Sequence, residues 1–406
     1  MNLFLHLAWR NLWRNRRRTL ISTASVIFAV FLALVMRSME NGSYDYMIDS
    51  TVGMYLGYLQ IHGEGYWDKR SLDQSIEMLD SQFESFSTVP QVTHVDPRIE
   101  SYVLLSRGAT TKVAQIVGID PHREDSMTGL AKRVSAGRYL SPSDSGIMVG
   151  AGLAKYLDVR CGDSVVIYGQ GYHGVTVAAN IPVVGILKFP LPELNNAMAY
   201  LPLRYAQQLL GAPGRVTSVA FMISSPGDVE SVRSRLKQMA GRHTEVMTWQ
   251  EMMPGLVQSI QADSAGGILM LLILYIVIGF GIFGTIMMMT NERTREFGVL
   301  ISVGMKRWKL MTVTVMETIL IAGLGAGAGL AAGIPVVWFF HLHPIVLGGD
   351  AGAAMLAYGL EPILPFSVAP GIFAAQTIIV FILALASASY PFLVIRKLKP
   401  VAALRS

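Results

Sequence analysis

The chain has 406 residues, of which 52% are hydrophobic and only 15% are charged. Its mean hydropathy of +0.43 excludes an ordinary soluble domain and favours a membrane protein. The net charge of +5 comes from basic clusters beside apolar runs, which indicates contact with anionic lipid and gives no sign of a nucleic-acid partner.

Residues 1–18 form an arginine-rich segment, and no acid precedes Glu40. Since positively charged flanks stay in the cytoplasm, the segment is predicted to be cytoplasmic and the following apolar run to lead outward. A cleaved secretory signal is the alternative, but the run is longer than a signal core and no A-x-A site follows it. An uncleaved anchor is therefore favoured. The arginines are Arg10, Arg14, Arg16, Arg17 and Arg18.

Four apolar runs each reach the roughly 20 residues that a membrane-spanning helix needs. We therefore predict four transmembrane helices separated by polar segments. The runs are Thr19–Met39, Gly266–Thr290, Met311–Phe340 and Val368–Ile395.

Residues 40–265 lack a membrane-length apolar run and are predicted to fold outside the membrane. Period-two and helical spacings both occur there. The fold class is thus an α-helical membrane protein with four transmembrane helices plus a large α+β periplasmic domain inserted between helices 1 and 2. The predicted strands are Tyr58–His62, Tyr102–Ser106, Val113–Gly118, Ser164–Tyr168, Ile181–Leu187 and Val216–Ile223, and the predicted helices are Leu72–Phe86, Ala151–Leu157, Leu203–Leu210 and Asp228–Met239.

Reactive side chains in this domain follow no catalytic or metal-binding pattern. The single cysteine, Cys161, cannot form an internal disulfide. His341 and His343 share an H-x-H spacing beyond the third run, where an interfacial anchor is favoured over a metal site. We expect no catalytic residue and no metal ligand. The remaining domain histidines, which lack zinc-site spacing, are His62, His94, His122, His173 and His243.

Residues 291–310, between the second and third runs, read NERTREFGVLISVGMKRWKL. Phe297, Leu300 and Ile301 recur at helical spacing, so we expect a short helix that buries one face against a partner. A solvated basic loop that only sets the topology is the alternative.

Glu317 is nearly the only charged residue inside an apolar run. It lies about two turns from the basic segment, so pairing with that segment or with a neighbouring helix is favoured over a proton relay. An intramembrane acid of this kind is a candidate functional residue.

The third run carries glycines at four-residue spacing, which predicts close approach of another helix. Two glycines of the second run are the predicted receivers. Alternatively, the glycines loosen the helix ahead of Pro335. The predicted helix-packing residues are Gly281, Gly284, Gly325, Gly329 and Gly333.

No Lys or Arg occurs from Met311 to Ile395, although basic clusters lie on both sides. Residues 341–367 are therefore predicted to be a periplasmic loop, and residues 396–406 a cytoplasmic tail. Both termini are expected to be cytoplasmic. The flanking basic residues are Arg293, Arg295, Lys306, Arg307, Lys309, Arg396, Lys397, Lys399 and Arg405.

RTREFGVLISVG at Arg293–Gly304 resembles the coupling segment of the FtsX-like or MacB-like ABC permeases, also called type VII or mechanotransmission permeases. AWRNLWRNRRRTLIS at Ala8–Ser22 resembles the family's amphipathic amino-terminal helix. YPFLVIRKLKPVAALRS at Tyr390–Ser406, with Pro400 and Ala402–Arg405, resembles its closing signature. Ile301 departs from the pattern, because many members carry Arg or Lys there; Lys306 or Arg307 would replace that contact.

The outer domain is most similar to that of the lipoprotein-releasing LolC/LolE branch, so the resemblance covers nearly the whole chain. The matching stretches are VGIDP (Val117–Pro121), GRYL (Gly137–Leu140), VGAGLAKYLDVRCGDSVVI (Val149–Ile167), PVVGILKF (Pro182–Phe189) and AYLPLRYAQQLLG (Ala199–Gly211).

The resemblance implies a non-catalytic subunit. The sequence has no G-x-x-x-x-G-K-[ST] phosphate loop, so no cofactor is expected in this chain, and ATP and Mg would bind a partner ABC ATPase dimer. It also implies a second permease (a copy or a paralogue), membrane lipids, and room for a periplasmic chaperone or adaptor. The implied ATPase-coupling residues are Glu292, Arg293, Arg295, Glu296, Phe297, Gly298, Leu300, Gly304, Lys306 and Arg307.

The implied mechanism is transmission of ATP-driven motion to the outer domains rather than opening of a solute channel. The leading function is extraction or trafficking of lipoproteins or other lipidated cargo from the bacterial inner membrane. Tripartite efflux of peptides or macrolide-like compounds is one alternative. A non-transporting regulator of cell-wall hydrolases is the other, and that branch usually has a smaller outer domain.

Overall fold

The computed structural model describes residues 2–14, 16–77, 80–357 and 362–398. The chain divides into two compact units. The helical unit comprises Met1–Asp45, Ser259–Ile345 and Leu364–Ser406, and the mixed unit comprises Tyr46–Gln258 and Val346–Ile363. The closing signature around Pro400 lies outside the described residues.

Helices of very different lengths alternate with strands along the chain. The helices are α1 (Asn2–Arg14), α2 (Arg16–Thr51), α3 (Tyr66–Lys69), α4 (Asp80–Phe86), α5 (Pro121–Thr128), α6 (Ala151–Leu157), α7 (Pro192–Ala197), α8 (Leu203–Leu209), α9 (Val229–Met239), α10 (Trp249–Met252), α11 (Pro254–Glu292), α12 (Thr294–Ser302), α13 (Arg307–Leu342), α14 (Gly349–Ala357), α15 (Pro370–Ser387) and α16 (Ser389–Lys397). The strands are β1 (Leu59–Gly63), β2 (Ile76–Glu77), β3 (Val92–Arg107), β4 (Thr110–Ile119), β5 (Val134–Gly137), β6 (Ile147–Gly150), β7 (Ser164–Gln170), β8 (Thr176–Leu187), β9 (Met198–Pro202), β10 (Arg215–Val216), β11 (Ser218–Ile223), β12 (Thr244–Thr248), β13 (Ile345–Val346) and β14 (Ile363–Leu364).

Four helical segments in the described part of the chain are long and apolar enough to cross a membrane, which agrees with the predicted number. α2 continues past the first predicted run and ends in a π-helical turn at Val52–Leu56. α13 passes through Pro335 without ending. The segments are Thr19–Leu56, Pro254–Glu292, Arg307–Leu342 and Pro370–Lys397, with mean hydropathies of 2.4, 2.6, 1.9 and 2.5.

Glycines on α13 line its contact with α2. A Cβ atom added at these glycines would lie too close to α2 side chains for any larger residue to fit without a shift. Because the glycines repeat every four residues, they leave a groove that a ridge of α2 with the same spacing fills. The pairs are Gly325 with Val26 at 2.6 Å, Gly329 with Val30 at 2.8 Å and Gly333 with Leu34 at 3.1 Å, measured from the added Cβ.

The predicted receivers of this stripe require a correction. A Cβ added at Gly281 or Gly284 of α11 would meet no described atom within 4 Å. The side chains of α2 occupy the glycine groove instead. Periodicity identifies a packing face but not the helix that packs on it, which depends on the tertiary arrangement.

A large, mostly antiparallel sheet organises the mixed unit. Within the described residues it has ten strands, ordered β12-β1-β11-β3-β4-β9-β6-β8-β5, and β7 pairs with β3 and β8. The β4–β9 and β6–β8 pairs are parallel. β3 is 16 residues long; Arg98 near its start faces Ser218 of β11, and Leu104 near its end faces Tyr168 of β7. β3 therefore contributes to both halves of the sheet.

Apolar side chains fill a core on each half of this sheet. In one core Ile116 and Leu153 bring together β4 and α6. In the other, Phe221 and Leu236 bring together β11 and α9. Strands and helices thus share the same cores, as expected for the predicted mixed domain.

The predicted helix at Leu72–Phe86 is wrong over its first half. The chain forms a 3-10 turn, the short strand β2 and only then α4. Ile76 pairs with β10, and the Arg215 guanidinium donates to the Ser75 hydroxyl at 2.8 Å and to the Ser75 carbonyl. Long-range pairing overrides the local helical spacing here.

Candidate functional site

α12 is a short helix between two long ones, and a glycine defines its end. Gly304 adopts a φ of 102°, a left-handed conformation that side chains disfavour. The N–H groups of Gly304 and Met305 donate to the carbonyls of Ile301 and Leu300 at 3.1 and 3.0 Å. These two bonds form the Schellman closure of a helix. The segment is thus an ordered helix with a definite end.

One face of α12 is buried within the chain. Phe297 is only 1% exposed and packs with Leu310 of α13 and Ile395 of α16. Ile301 and Met305 pack against the same cluster, and Gly298 is also buried. Phe297 and Gly298 therefore anchor the helix to its own subunit.

The opposite face of α12 is exposed and partly apolar. Val299, Leu300 and Val303 are 45%, 38% and 83% exposed, and Arg295 beside them is exposed. Leu300 thus lies on the exposed face, whereas Phe297 and Ile301 pack against α13 and α16. We call Arg295, Val299, Leu300 and Val303 the exposed face of α12.

A buried ion pair joins the start of α12 to α13. The Arg293 guanidinium donates to both carboxylate oxygens of Glu317, with the second contact at 3.3 Å. Their side chains are 9% and 4% exposed. The amide of Asn11 in α1 donates to Glu317 Oε1 at 2.6 Å. The expected pairing of Glu317 with the basic segment is present, and a third element shares the carboxylate.

α1 also reaches α12 through exposed charges. Arg14 lies 2.9 Å from Glu296, and Glu296 lies 3.5 Å from Nε of Arg293. Arg14 and Glu296 are about half exposed, so their bond contributes little stability. Asn11 was not singled out from the sequence, and Arg14 was named only among the arginines that set the topology. The placement of Asn11 and Arg14 follows from burial of the neighbouring residues Ala8 and Leu12 on α1.

The remaining predicted coupling residues differ in how they are used. Arg307 donates to the carbonyls of Arg396 and Leu398 at 2.7 and 2.9 Å, so its guanidinium completes the end of α16. Lys306 is exposed just before α13, and Glu292 ends α11 with an exposed side chain.

Two protein families match successive parts of this chain. The MacB-like periplasmic core domain matches residues 19–239, and the FtsX-like permease carboxyl-terminal region matches residues 268–400. The chain belongs to the MacB-like and FtsX-like permeases. α12 and Glu317 lie inside the permease match, and most of the sheet lies inside the core-domain match.

Several curated relatives support this membership. The lipoprotein-releasing system transmembrane protein LolC of Xylella fastidiosa (strain 9a5c) is 24% identical over 62% of this chain and 62% of its own length. LolC of Neisseria meningitidis serogroup B is 22% identical over 79% and 77%. The macrolide export ATP-binding/permease protein MacB of Agrobacterium fabrum is 21% identical over 83% and 53%. The chain thus spans less than two thirds of the first and third of these relatives.

Proposed function

We propose that this chain is the membrane subunit of an ABC transporter and that a separate ATPase docks on the exposed face of α12. One observation carries this proposal: α12 is anchored on one side by Phe297 and exposes Val299 and Val303 on the other. An exposed apolar centre beside charged residues is typical of a protein-binding surface.

Motion of α12 would reach the rest of the helical unit by two routes. The Arg293–Glu317 pair connects it to α13, and Phe297 connects it to α13 and α16. α13 in turn packs closely on α2 through its glycines. Closely packed elements move together more readily than they deform. ATP and Mg would bind the partner ATPase, so this chain would act without a catalytic site of its own.

The charge distribution supports a location in the bacterial inner membrane with α12 and both termini in the cytoplasm. The mixed unit, whose larger part Tyr46–Gln258 leads from the first candidate span to the second and whose smaller part Val346–Ile363 follows the third, would then be periplasmic. We retain the domain bounds predicted from the sequence. A second permease, either a copy or a paralogue, would complete a core of eight spans among membrane lipids.

We propose lipoproteins or other lipidated molecules as the cargo, with a periplasmic chaperone or adaptor as acceptor. Two LolC proteins named as lipoprotein-releasing are among the relatives. Efflux of peptides or macrolide-like compounds remains the second candidate, because a MacB relative aligns over 83% of this chain.

Co-purification from detergent tests the docking face. Val303 is 83% exposed, so Val303→Asp should leave folding unchanged while placing a charge in the centre of the interface. We expect Val303→Asp and Arg295→Glu to lose the co-purifying ATPase. Val346→Asp, at a residue 73% exposed on β13, is the matched control and should retain it. Retention of the ATPase by Val303→Asp would contradict docking at α12.

The cargo is tested with the same complex in lipid nanodiscs. Acylated lipoprotein should stimulate ATP hydrolysis and leave for a soluble acceptor, whereas the unacylated protein should do neither. Stimulation by a macrolide or a peptide, without any response to lipoprotein, would favour the efflux function.

A further inference from the structure

The largest fully buried side chain of the mixed unit is a charged one. Arg98 of β3 has no solvent exposure, and Glu124 of α5 beside it is 1% exposed. Enclosing such a pair costs several kcal/mol of desolvation per ion, and apolar residues often stabilise a core equally well. Its presence therefore calls for a role that apolar packing does not supply.

Every arm of the Arg98 guanidinium is used. Nε and one terminal nitrogen donate to the two Glu124 oxygens at 2.8 and 2.9 Å, which forms a planar bidentate pair. The other terminal nitrogen donates to the backbone carbonyl of Tyr55, and the guanidinium lies 4.9 Å from the centre of the Tyr55 ring. Asp96 lies 3.6 Å away. Arg98 thus contacts both the carbonyl and the ring of Tyr55 while Glu124 holds its guanidinium.

That carbonyl belongs to the end of the first candidate span. Tyr55 lies in the π-helical turn Val52–Leu56 that continues α2. The last carbonyls of a helix lack partners within it and form the negative end of its dipole, which a buried arginine satisfies in both respects. Gly57 closes the turn with a φ of 75°, and β1 begins at Leu59. Only Gly57 and Tyr58 thus separate the π-helical turn from β1.

The contact also reaches the middle of the sheet. β3 pairs with β4 along its length, with β11 near Arg98 and with β7 at its far end. Gln115 of β4 donates to the Tyr55 hydroxyl at 3.2 Å and to Glu100 of β3 at 3.1 Å. Movement of the π-helical turn would thus act on the strand that contributes to both halves.

We propose that Arg98, held by Glu124, is a positioning residue that fixes the π-helical turn Val52–Leu56 to the outer sheet and passes movement of that turn into β3. The proposal rests on the proposed transporter function. Apolar contacts at this place would allow the turn to slide or rotate, whereas a guanidinium held by its bidentate pair with Glu124 donates to the Tyr55 carbonyl in a fixed direction. Arg98 touches neither cargo nor nucleotide.

Hydrogen–deuterium exchange of the full ATPase-containing complex in nanodiscs, with and without ATP, tests this role of Arg98. Wild type should show nucleotide-dependent exchange in α12 and in β3. Arg98→Lys keeps the charge beside Glu124 but lacks the rigid guanidinium that pairs with Glu124 and donates to the Tyr55 carbonyl at the same time. We expect this variant to retain basal ATP hydrolysis and the ATP-dependent exchange change in α12, but to lose the exchange change in β3. Lipoprotein release should become about tenfold slower, within the usual range of site-to-site coupling.

Arg215→Lys is the matched control. Arg215 also clamps a backbone carbonyl in the mixed unit, that of Ser75, and lies 4.6 Å from the Tyr172 ring, but it does not touch α2. Arg215→Lys should keep the ATP-dependent exchange changes in α12 and β3, and it should release lipoprotein at the wild-type rate. Equal loss in Arg98→Lys and Arg215→Lys would show a merely structural role and overturn the proposal.

A second variant covers the case in which Arg98→Lys fails to fold. Arg98→Met with Glu124→Leu replaces the pair by apolar side chains, which buried pairs often tolerate. Burial, followed by the neighbouring Glu124, raises the pKa of Asp96 well above its usual range, and the burial is still present in the double variant. If this double variant releases lipoprotein and shows the exchange change in β3 as wild type does, the proposed role of Arg98 is overturned. No ATP-dependent change in α12 of wild type would overturn the proposed function itself.

Discussion

The helical and mixed units each bury an arginine–glutamate pair, and the two pairs are built differently. Arg98 and Glu124 are fully enclosed, and every guanidinium arm has a partner. Arg293 is 9% exposed, and its Nε has no hydrogen-bond partner among the described residues, although Glu296 lies 3.5 Å away. The first pair is suited to holding a fixed geometry, whereas the second borders an exposed helix and leaves one guanidinium N–H without a hydrogen bond among the described residues.

The apolar side chains of the mixed unit are also more completely buried than those of the helical unit. The mixed unit closes over large side chains such as Phe221 and Ile116. The helical unit brings helices together through small residues such as Gly329. Only 11% of the most apolar 18-residue stretch of α11 is buried. A membrane protein can leave such surface open to lipid or to a second subunit. The mixed unit is thus the more self-contained body.

Removing Glu124 should have the largest effect. Glu124→Leu leaves Arg98 charged, enclosed and without its main partner, so we expect a loss of about 3–5 kcal/mol in the free energy of unfolding. Denaturant titration of the purified full-length protein, followed by tryptophan fluorescence, measures it. Arg98→Met with Glu124→Leu should lose far less. Equal losses in the single and double variants would show that the charge itself is not the cause.

Removing Glu317 should cost less than removing Glu124. Glu317→Leu is expected to lower the unfolding free energy by about 1.5–3 kcal/mol, the usual value of a hydrogen bond to a charged group, because Arg293 borders solvent and Glu296. The same titration measures the loss, with Glu296→Gln at a half-exposed residue as control. A loss as large as that of Glu124→Leu would remove the distinction between the two pairs.

The close contact between α2 and α13 should tolerate no larger residue. Gly329→Val puts side-chain atoms where Val30 already lies, so we expect a cost of roughly 1–2 kcal/mol from overpacking. Gly327→Val is the control, because a Cβ there meets nothing within 4 Å among the described atoms. Thermal unfolding in detergent compares them. Equal melting of the two variants would contradict the packing described for α13.

The smallest predicted effect depends on pH. Burial and the Arg70 charge lower the pKa of His62 to about 3, from about 6.5 in the unfolded chain. Protons therefore bind the unfolded state preferentially below pH 6.5, and stability falls as the pH drops towards 3. At pH 5.5 the loss is about 1.4 kcal/mol.

His62→Gln should flatten this part of the pH–stability curve, which fluorescence titration of the full-length protein between pH 7.5 and 5 would record. His243→Gln, at an exposed residue, should leave the slope unchanged. An unaltered slope in His62→Gln would assign the acid sensitivity to other groups.

Local patterns predicted several elements of the mixed unit. The predicted helix Ala151–Leu157 coincides with α6, and the strand predicted at Ser164–Tyr168 lies within β7. The first half of Leu72–Phe86 failed because Arg215, distant in sequence, holds Ser75. For α12 the helix was predicted, but not that Phe297 and Ile301 pack on α13 and α16 while Leu300 stays exposed.

The sequence by itself determined the four apolar spans, the large domain between the first two and the family, because length, period and local motifs are properties of a continuous chain. Only the tertiary structure decided that Glu317 binds Arg293 and Asn11, that α2 receives the glycines of α13, and that Arg98 holds Tyr55. Each of these contacts joins residues far apart in the chain. A buried charge or a glycine signals that a partner is needed, whereas the partner's identity follows from how the elements pack.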